Sequence, residues 1–166
     1  MSEGFSLRPY AARDEDAAIA LWLRSWETAY PALDFAARLS WWRARWRDEL
    51  VPVARIVIAE SATGPSGNSM IGEASMIGFV TVDPNTRYLD QLVVAPEVWR
   101  SGIGSALVGE AKRIAPNGLD LDVNTDNARA IGFYQKSGFV VSGAGKNQIS
   151  GKPVHRMSWR PQAPCA

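Results

Sequence analysis

A glycine-rich turn is the segment of this sequence whose residue types and spacing most clearly suggest chemistry. Gly102 and Gly104 follow an apolar stretch and stand at the start of a helical pattern. Glycines let the backbone approach a ligand without a Cβ clash. The first N–H groups of a helix have no internal partner, and the helix dipole adds partial positive charge there. Such a turn suits a phosphate or diphosphate, although an ordinary tight turn between a strand and a helix would look the same.

Two common phosphate-binding motifs do not fit this turn. A P-loop needs Lys and then Ser or Thr directly after its last glycine, whereas Ser105 and Ala106 follow Gly104. A dinucleotide fingerprint needs a third glycine at position 107, which is Leu107 here. The turn is therefore not predicted to belong to either class.

The spacing of apolar residues predicts how the turn is positioned. The elements follow in the order strand, two helices, three strands, helix, strand, helix and two strands. No repeat or linker interrupts them, so we predict one α+β domain over residues 1–166, built around a mixed sheet. The predicted strands cover residues 5–8, 53–59, 75–82, 88–94, 119–123, 139–142 and 154–159, and the predicted helices cover 17–30, 35–46, 103–114 and 127–137.

The first two predicted helices carry two notable sets of side chains. A cluster of tryptophans indicates a bulky apolar surface, either core or the wall of a pocket. Its members are Trp22, Trp26, Trp41, Trp42 and Trp46. Four arginines on other faces of the second helix are interpreted as a solvated face. They are Arg38, Arg43, Arg45 and Arg47.

Composition and charge narrow the possible partners and cofactors. The 18 Lys and Arg residues balance 17 Asp and Glu residues, so neither a nucleic acid nor an anionic membrane is expected as partner. One cysteine, Cys165, and one histidine, His155, provide no internal disulfide and no Cys- or His-rich metal site. The first residues lack a signal-peptide pattern, and no apolar run could span a bilayer. A cytoplasmic protein without a metal is expected.

Two segments together resemble the cofactor motifs of the GCN5-related N-acetyltransferase (GNAT) superfamily. Residues 92–97 (LVVAPE) and 100–107 (RSGIGSAL) resemble that family's acetyl-CoA diphosphate motif. Residues 127–139 (NARAIGFYQKSGF) resemble its second cofactor motif. Residues 24–30 and 42–46 are similar to the opening helices of a broad group of bacterial members without an assigned acceptor. The resemblance implies a mixed, mostly antiparallel central sheet flanked by helices.

One position departs from the family pattern. The diphosphate motif usually carries Gln or Arg three residues before its first glycine, where this chain has Trp99. Arg100, one residue later, still offers a positive charge. Because the backbone N–H groups do most of the binding, we expect the loss to be modest.

The resemblance implies how acetyl-CoA is bound. The strand ending at Val94 is expected to separate from its neighbour, so that the pantetheine arm binds through the backbone of Leu92, Val93 and Val94. The diphosphate is expected at the turn, mainly on backbone N–H groups. The residues of that turn site are Arg100, Ser101, Gly102, Ile103, Gly104 and Ser105. Asn127 is expected near the cofactor arm, although a helix N-cap role would need no ligand.

Tyr134 is the predicted general acid, and the resemblance places its phenol near the thioester sulfur. Asn127, Ile131 and Tyr134 share one helix face at spacings of four and three. When an amine attacks the thioester, the leaving thiolate needs a proton. A tyrosine with a pKa of about 10 holds its proton at neutral pH and can donate it. A core tyrosine with its hydroxyl at the surface is the alternative.

Asp90 is the predicted general base that accepts the proton of the attacking amine, acting through water. It lies on the strand that leads to the glycine-rich turn and shares a face with Tyr88 and Leu92. A solvent-facing or hydrogen-bonded strand aspartate is the alternative interpretation. His155 is a rival base by its chemistry, although a lone histidine in a late strand is more often structural.

Trp26 and Tyr30 are candidate substrate-binding residues, since the resemblance places the first helices against the acceptor site. Core packing is the alternative for each of them. If they line the pocket, an acceptor with apolar or aromatic character is favoured over a polycation.

The function implied by the resemblance is direct transfer of an acetyl group from acetyl-CoA to a primary amine of a small molecule or peptide. Cys165 stands next to the last residue, which argues against an acyl-cysteine intermediate. The alternative is a catalytically silent module of the same fold that binds or senses acyl-CoA. A homodimer through the late strands is common in the resembled family and is possible here.

Overall fold

A seven-stranded sheet forms the centre of the protein. The computed structural model describes residues 4–61, 75–148 and 150–162. The strands are β1 (Phe5–Pro9), β2 (Arg55–Ser61), β3 (Ser75–Asp83), β4 (Tyr88–Val94), β5 (Leu119–Asn124), β6 (Val140–Lys146) and β7 (Pro153–Trp159). They lie in the order β1-β2-β3-β4-β5-β7-β6, and every neighbouring pair is antiparallel except β4 and β5. The predicted α+β fold with a mixed, mostly antiparallel sheet is confirmed.

Four α-helices flank this sheet in the described part of the chain. They are α1 (Glu15–Ala29), α2 (Leu39–Arg45), α3 (Ile103–Ile114) and α4 (Ala128–Lys136). The helix predicted over 35–46 is divided, because a 3-10 turn precedes α2 and a wider π-helical turn, Trp46–Leu50, follows it. The peptide N–H groups of Val53 and Ala54 still bond to the carbonyl of Leu50. For this reason β2 begins at Arg55, two residues later than predicted.

The tryptophan cluster attaches α1 and α2 to the sheet. Trp22 stacks on Trp42 with ring centroids 4.6 Å apart, and Trp46 meets Phe79 of β3 edge-on at 5.3 Å. Trp42, Trp46 and Phe79 are all fully buried. Large aromatic rings contribute much of the apolar area that stabilises such a core. Trp41, by contrast, is exposed.

β4 and β5 separate soon after they begin. Their only recorded pairing within the described residues joins Tyr88 to Asp120. From there to Val94 the strand edge of β4 faces an opening rather than a neighbouring strand. The expected separation of the strand ending at Val94 is therefore present, and the glycine-rich turn follows directly at its end.

No helix in the described ranges is long and apolar enough to cross a membrane. Cys165 and most of the polar turn predicted over residues 61–69 lie outside the described residues.

Candidate active site

A groove of about 1320 Å³ occupies the opening between β4 and β5. Residues of α1, α2, β4, β5, α4 and the glycine-rich turn line it. Most of the predicted site residues are among them. These are Trp26, Tyr30, Asp90, Leu92, Val93, Val94, Arg100, Gly102, Gly104, Ser105, Asn127 and Tyr134. Ser101 and Ile103 are not among the lining residues.

The glycine-rich turn reverses the chain through two left-handed residues, Arg100 (φ 68°) and Gly102 (φ 90°). Gly102 is the N-cap of α3 and makes no side-chain cap hydrogen bond, and the first helical bond runs from the N–H of Ala106 to its carbonyl. The N–H groups of residues 103–105 therefore have no acceptor inside the helix. Three amides and the positive end of the dipole are thus available to an anion.

Ser101 and Ile103 have internal contacts at this turn. The hydroxyl of Ser101 donates to the carbonyl of Val98, and the side chain of Ile103 is buried in the core. The predicted packing role of Ile103 is therefore present. Any contribution of Ile103 to a ligand would come from its backbone N–H.

Gly104 allows α3 to approach α4 and β4 closely. A Cβ at this position would lie 3.2 Å from the ring of Phe133 and 3.8 Å from a methyl group of Val94. The first of these distances is tighter than ordinary van der Waals contact. Only glycine fits here without displacing Phe133 or the start of the helix.

The peptide groups of β4 alternate between β3 and the groove. The N–H of Ala95 donates to Ile77 of β3, so the alternation of a strand directs the peptide groups of Val94 and Leu92 toward the groove. The same alternation directs the peptide groups of Val93 toward β3, and its side chain is buried. The polar edge that borders the groove thus consists of residues 92 and 94.

Tyr134 lies at the inner wall of the groove. It is 8% exposed, and its ring meets Phe133 and Phe139 edge-on at 5.3 and 5.4 Å. Burial raises the pKa of this phenol well above its ordinary value. Among the described residues its hydroxyl makes no recorded hydrogen bond. The hydroxyl therefore keeps its proton at neutral pH, and none of the described groups is recorded as accepting it.

Asn127 caps α4. Its side-chain oxygen accepts a hydrogen bond from the N–H of Ala130 at 3.2 Å. The capping alternative is thus present in the structure. The residue also lines the groove, so the expected contact with a cofactor remains a prediction.

Asp90 forms an ion pair with Arg45. Its two oxygens accept hydrogen bonds from the guanidinium at 2.8 and 2.5 Å, and the amide of Gln91 donates to it at 2.9 Å. Both partners are largely buried, with side chains 20% and 15% exposed for Arg45 and Asp90. The interpretation of Arg45 as part of a solvated face is therefore wrong, since the helix positions it over β4.

His155, the rival base, lies on β7 opposite Val123 and is not among the residues that line the groove.

Trp26 and Tyr30 form one aromatic wall of the groove. Their rings stack with centroids 5.7 Å apart, and both are partly buried against the core. The Tyr30 hydroxyl donates to Asp126 at 3.0 Å, and the Lys152 ammonium lies 5.3 Å from the ring centroid. The sequence left two interpretations open, core packing and pocket lining, and the two residues do both.

Besides the Arg45–Asp90 ion pair, two further contacts between distant residues of the groove were not predicted. The Tyr88 hydroxyl donates to Asp122 of β5 at 2.9 Å, and burial with the nearby Asp122 charge raises the pKa of Tyr88. Trp99 packs under the guanidinium of Arg129. The residues of each pair are distant in sequence, and no local pattern links them.

Comparison with known proteins decides the family. A model of the Acetyltransferase (GNAT) family matches residues 15–139. The chain belongs to the GNAT family of acetyltransferases. It is 30% identical to the peptidyl-lysine N-acetyltransferase YjaB of Escherichia coli K12 over 148 residues, which cover 89% of this chain and 90% of YjaB. It is 29% identical to the peptidyl-lysine N-acetyltransferase YiaC of the same organism over 143 residues, 86% of this chain and 88% of YiaC.

Solved structures of GNAT acetyltransferases share the fold. The solution structure of apo YjaB from Escherichia coli matches with a TM-score of 0.69 and 25% identity, covering 93% of this chain and 97% of YjaB. The PaiA N-acetyltransferase of Thermoplasma acidophilum, crystallised with coenzyme A, matches with a TM-score of 0.67 and 19% identity over 95% and 99% of the two chains. The predicted GNAT membership, fold and acyltransferase class are confirmed.

Proposed function

We propose that this protein transfers the acetyl group of acetyl-CoA directly to the side-chain amine of a lysine in a peptide or protein. The observation that carries the proposal is the groove itself. It runs past the free amides of α3 and the exposed edge of β4, and Tyr134 lines it too. We also propose that residues 1–166 act as one domain in the cytoplasm.

The groove supports acetyl-CoA as the co-substrate. The amides of residues 103–105, with Gly102 and Arg100 beside them, suit the diphosphate. The peptide groups of Leu92 and the N–H of Val94 suit the amides of the pantetheine arm, which would bind as an added strand. The carbonyl of Val94 already accepts a hydrogen bond from the indole N–H of Trp99. Asn127 and Ser105 line the same groove and are further candidates for contacts to the arm and the diphosphate.

The proposed reaction follows from the groups that line the groove. The neutral amine attacks the thioester carbonyl carbon, a C–N bond forms, and the C–S bond breaks. The sulfur leaves with the bonding electrons and takes the proton of the Tyr134 hydroxyl. The amine loses its own proton through water to Asp90, which releases it to solvent, and solvent returns a proton to Tyr134. Arg45 keeps the Asp90 carboxylate in place.

A lysine side chain is the acceptor favoured by the relatives and by the aromatic wall. The relatives YjaB and YiaC are named as peptidyl-lysine N-acetyltransferases. Trp26 and Tyr30 offer a flat apolar surface for the methylene stem of a lysine, and aromatic faces attract an ammonium group. The groove is also open to solvent, as a site that accepts a residue within a peptide must be.

The test is a thiol-release assay with acetyl-CoA over matched amines. A peptide with one internal lysine and a blocked N-terminus should release CoA, and mass spectrometry should place the acetyl group on that lysine. The same peptide with arginine instead of lysine is the control. Release only with spermidine or with a free N-terminal amine would overturn the lysine proposal. Binding of acetyl-CoA without thiol release over the whole panel would instead favour the silent binding module.

The role of Asp90 can be separated from its ion pair. In Asp90→Asn, we expect kcat to fall by about tenfold or more with little change in the Kd of acetyl-CoA. The single variant also removes the buried partner of Arg45 and leaves it only the exposed Glu49 at 3.4 Å, so Tm should fall.

The double variant Arg45→Met/Asp90→Asn is the matched control for this effect. It removes both charges, so it should recover much of the lost Tm but not the lost kcat. Recovery of both Tm and kcat would show that Asp90 acts only through Arg45.

A homodimer through the late strands remains a prediction. β6 is an edge strand, and its residues Val140 and Val141 are 65% and 49% exposed. A second copy that paired with this edge would cover them. Sedimentation equilibrium tests this arrangement. The wild type should have the mass of a dimer and Val140→Lys that of a monomer, and a monomeric wild type would contradict it.

A further inference from the structure

Trp99 closes the end of the exposed strand edge. Its indole N–H donates to the carbonyl of Val94 at 2.8 Å. This carbonyl faces the groove and is also approached by the hydroxyl of Ser25 at 3.4 Å. The residue that replaces the usual Gln or Arg is therefore tied to β4 by a hydrogen bond.

Arg129 lies on the face of this indole. Its guanidinium carbon is 3.8 Å from the centroid of the Trp99 ring, which is cation–π stacking at close range. Arg129 and Arg100 both line the groove, and neither makes a recorded ion pair or side-chain hydrogen bond within the described ranges. Partial burial and the neighbouring charge of Arg100 lower the pKa of Arg129. Two cations thus line the same groove, and neither is paired with a carboxylate in the part of the chain that the structure describes.

The helix α4 directs Arg129 toward the start of α3. Arg129 and Phe133 are four residues apart and share one face of the helix. The ring of Phe133 lies against Gly104, at the first turn of α3. The unpaired guanidinium is therefore on the side of α4 that meets the free amides of residues 103–105.

We propose that Trp99 and Arg129 act as one stacked unit that binds the diphosphate of acetyl-CoA, with Arg129 supplying the charge that position 99 lacks. This inference rests on the proposed use of acetyl-CoA. Trp99 holds the guanidinium at the end of β4, and the planar fork of Arg129 can then donate to two phosphate oxygens. Without a bound anion, the stacked guanidinium of Arg129 has no ion-pair partner among the described residues.

The test is calorimetric titration with three ligands that differ in their phosphates: CoA, 3′-dephospho-CoA and pantetheine. In Arg129→Met we expect the Kd of CoA and of 3′-dephospho-CoA to rise by about tenfold or more, the size of a lost charge-assisted contact. The Kd of pantetheine should not change. Arg129→Lys should restore part of the affinity, because it keeps the charge but not the stacked fork.

Trp99 variants test whether the two residues act together. Trp99→Leu should weaken CoA binding, and adding Arg129→Met to it should have less effect than in the wild type. Trp99→Phe keeps an aromatic face and should lose less. Arg113→Met is the matched control, because Arg113 is an exposed arginine at the other end of α3, paired with Glu110. It should bind all three ligands as the wild type does.

Each result decides a separate point. Equal affinity of the wild type and Arg129→Met for CoA would overturn this inference and leave the proposed function standing. Loss of affinity for CoA but not for 3′-dephospho-CoA would overturn it too, by assigning Arg129 to the 3′-phosphate. Equal loss for pantetheine, which carries no diphosphate, would also overturn it, and failure of the wild type to bind CoA would overturn both proposals.

Discussion

Replacing Tyr134 with phenylalanine should lower kcat by about 10²- to 10⁴-fold, the usual contribution of a positioned general acid. The ring is packed between Phe133 and Phe139, and its hydroxyl has no recorded partner in the described part of the chain. The substitution therefore removes one oxygen and leaves the packing in place. The Kd of acetyl-CoA and Tm should change little. Steady-state kinetics measure kcat, titration calorimetry measures the Kd, and thermal unfolding measures Tm.

The pH dependence of Tyr134 has a definite sign. The acid acts in its protonated form, and its pKa is raised by burial, so its activity should persist through pH 10, where an exposed tyrosine ionises. Its contribution to stability is likewise complete below the unfolded pKa and is lost as pH rises toward the folded pKa. Compared with Tyr134→Phe, the wild type should lose free energy of unfolding above about pH 10. If Tyr134→Phe had the kcat of the wild type with an acceptor for which chemistry is rate-limiting, Tyr134 would not be the general acid.

Gly104→Val should raise the Kd of acetyl-CoA by at least about tenfold and lower the free energy of unfolding by about 1–3 kcal/mol, the usual cost of overpacking. The added Cβ would lie 3.2 Å from Phe133, and the two further methyl groups would increase the crowding. Either α4 or the start of α3 must move, and the free amides of residues 103–105 move with it. Titration calorimetry and urea unfolding measure the two losses.

Gly109→Ala is the matched control in the same helix. A Cβ at Gly109 would contact nothing within 4 Å. Alanine is also the better helix former, so this variant should gain about 0.5–1 kcal/mol of stability. Its Kd for acetyl-CoA should equal that of the wild type. If Gly104→Val bound acetyl-CoA as tightly as Gly109→Ala does, the start of α3 would not be the diphosphate site.

The helices and strands of this protein, and its membership of the GNAT family, could be predicted from local patterns. Apolar spacing is enough to order the elements, and Gly102 with Gly104 marks the start of α3. Tyr134 and Asn127 could be chosen as candidates for the same reason, because they belong to one short motif at one helix, and their roles stay predictions. The exact ends of α2 and β2 could not be predicted in this way, because a π-helical turn over Trp46–Leu50 lies between them, and Trp46 of this turn packs on Phe79 of another strand.

The contacts between distant residues came only from the tertiary structure. Arg45 and Asp90 are 45 positions apart, and Tyr88 and Asp122 are 34 apart. Trp99, which precedes α3, and Arg129, in the first turn of α4, meet at the groove although they are 30 positions apart. The amino-acid sequence shows that such charges and rings exist and that a turn suited to phosphate follows β4. Which of them pair depends on how the sheet brings its strands together and where β4 and β5 separate, and no local spacing encodes that.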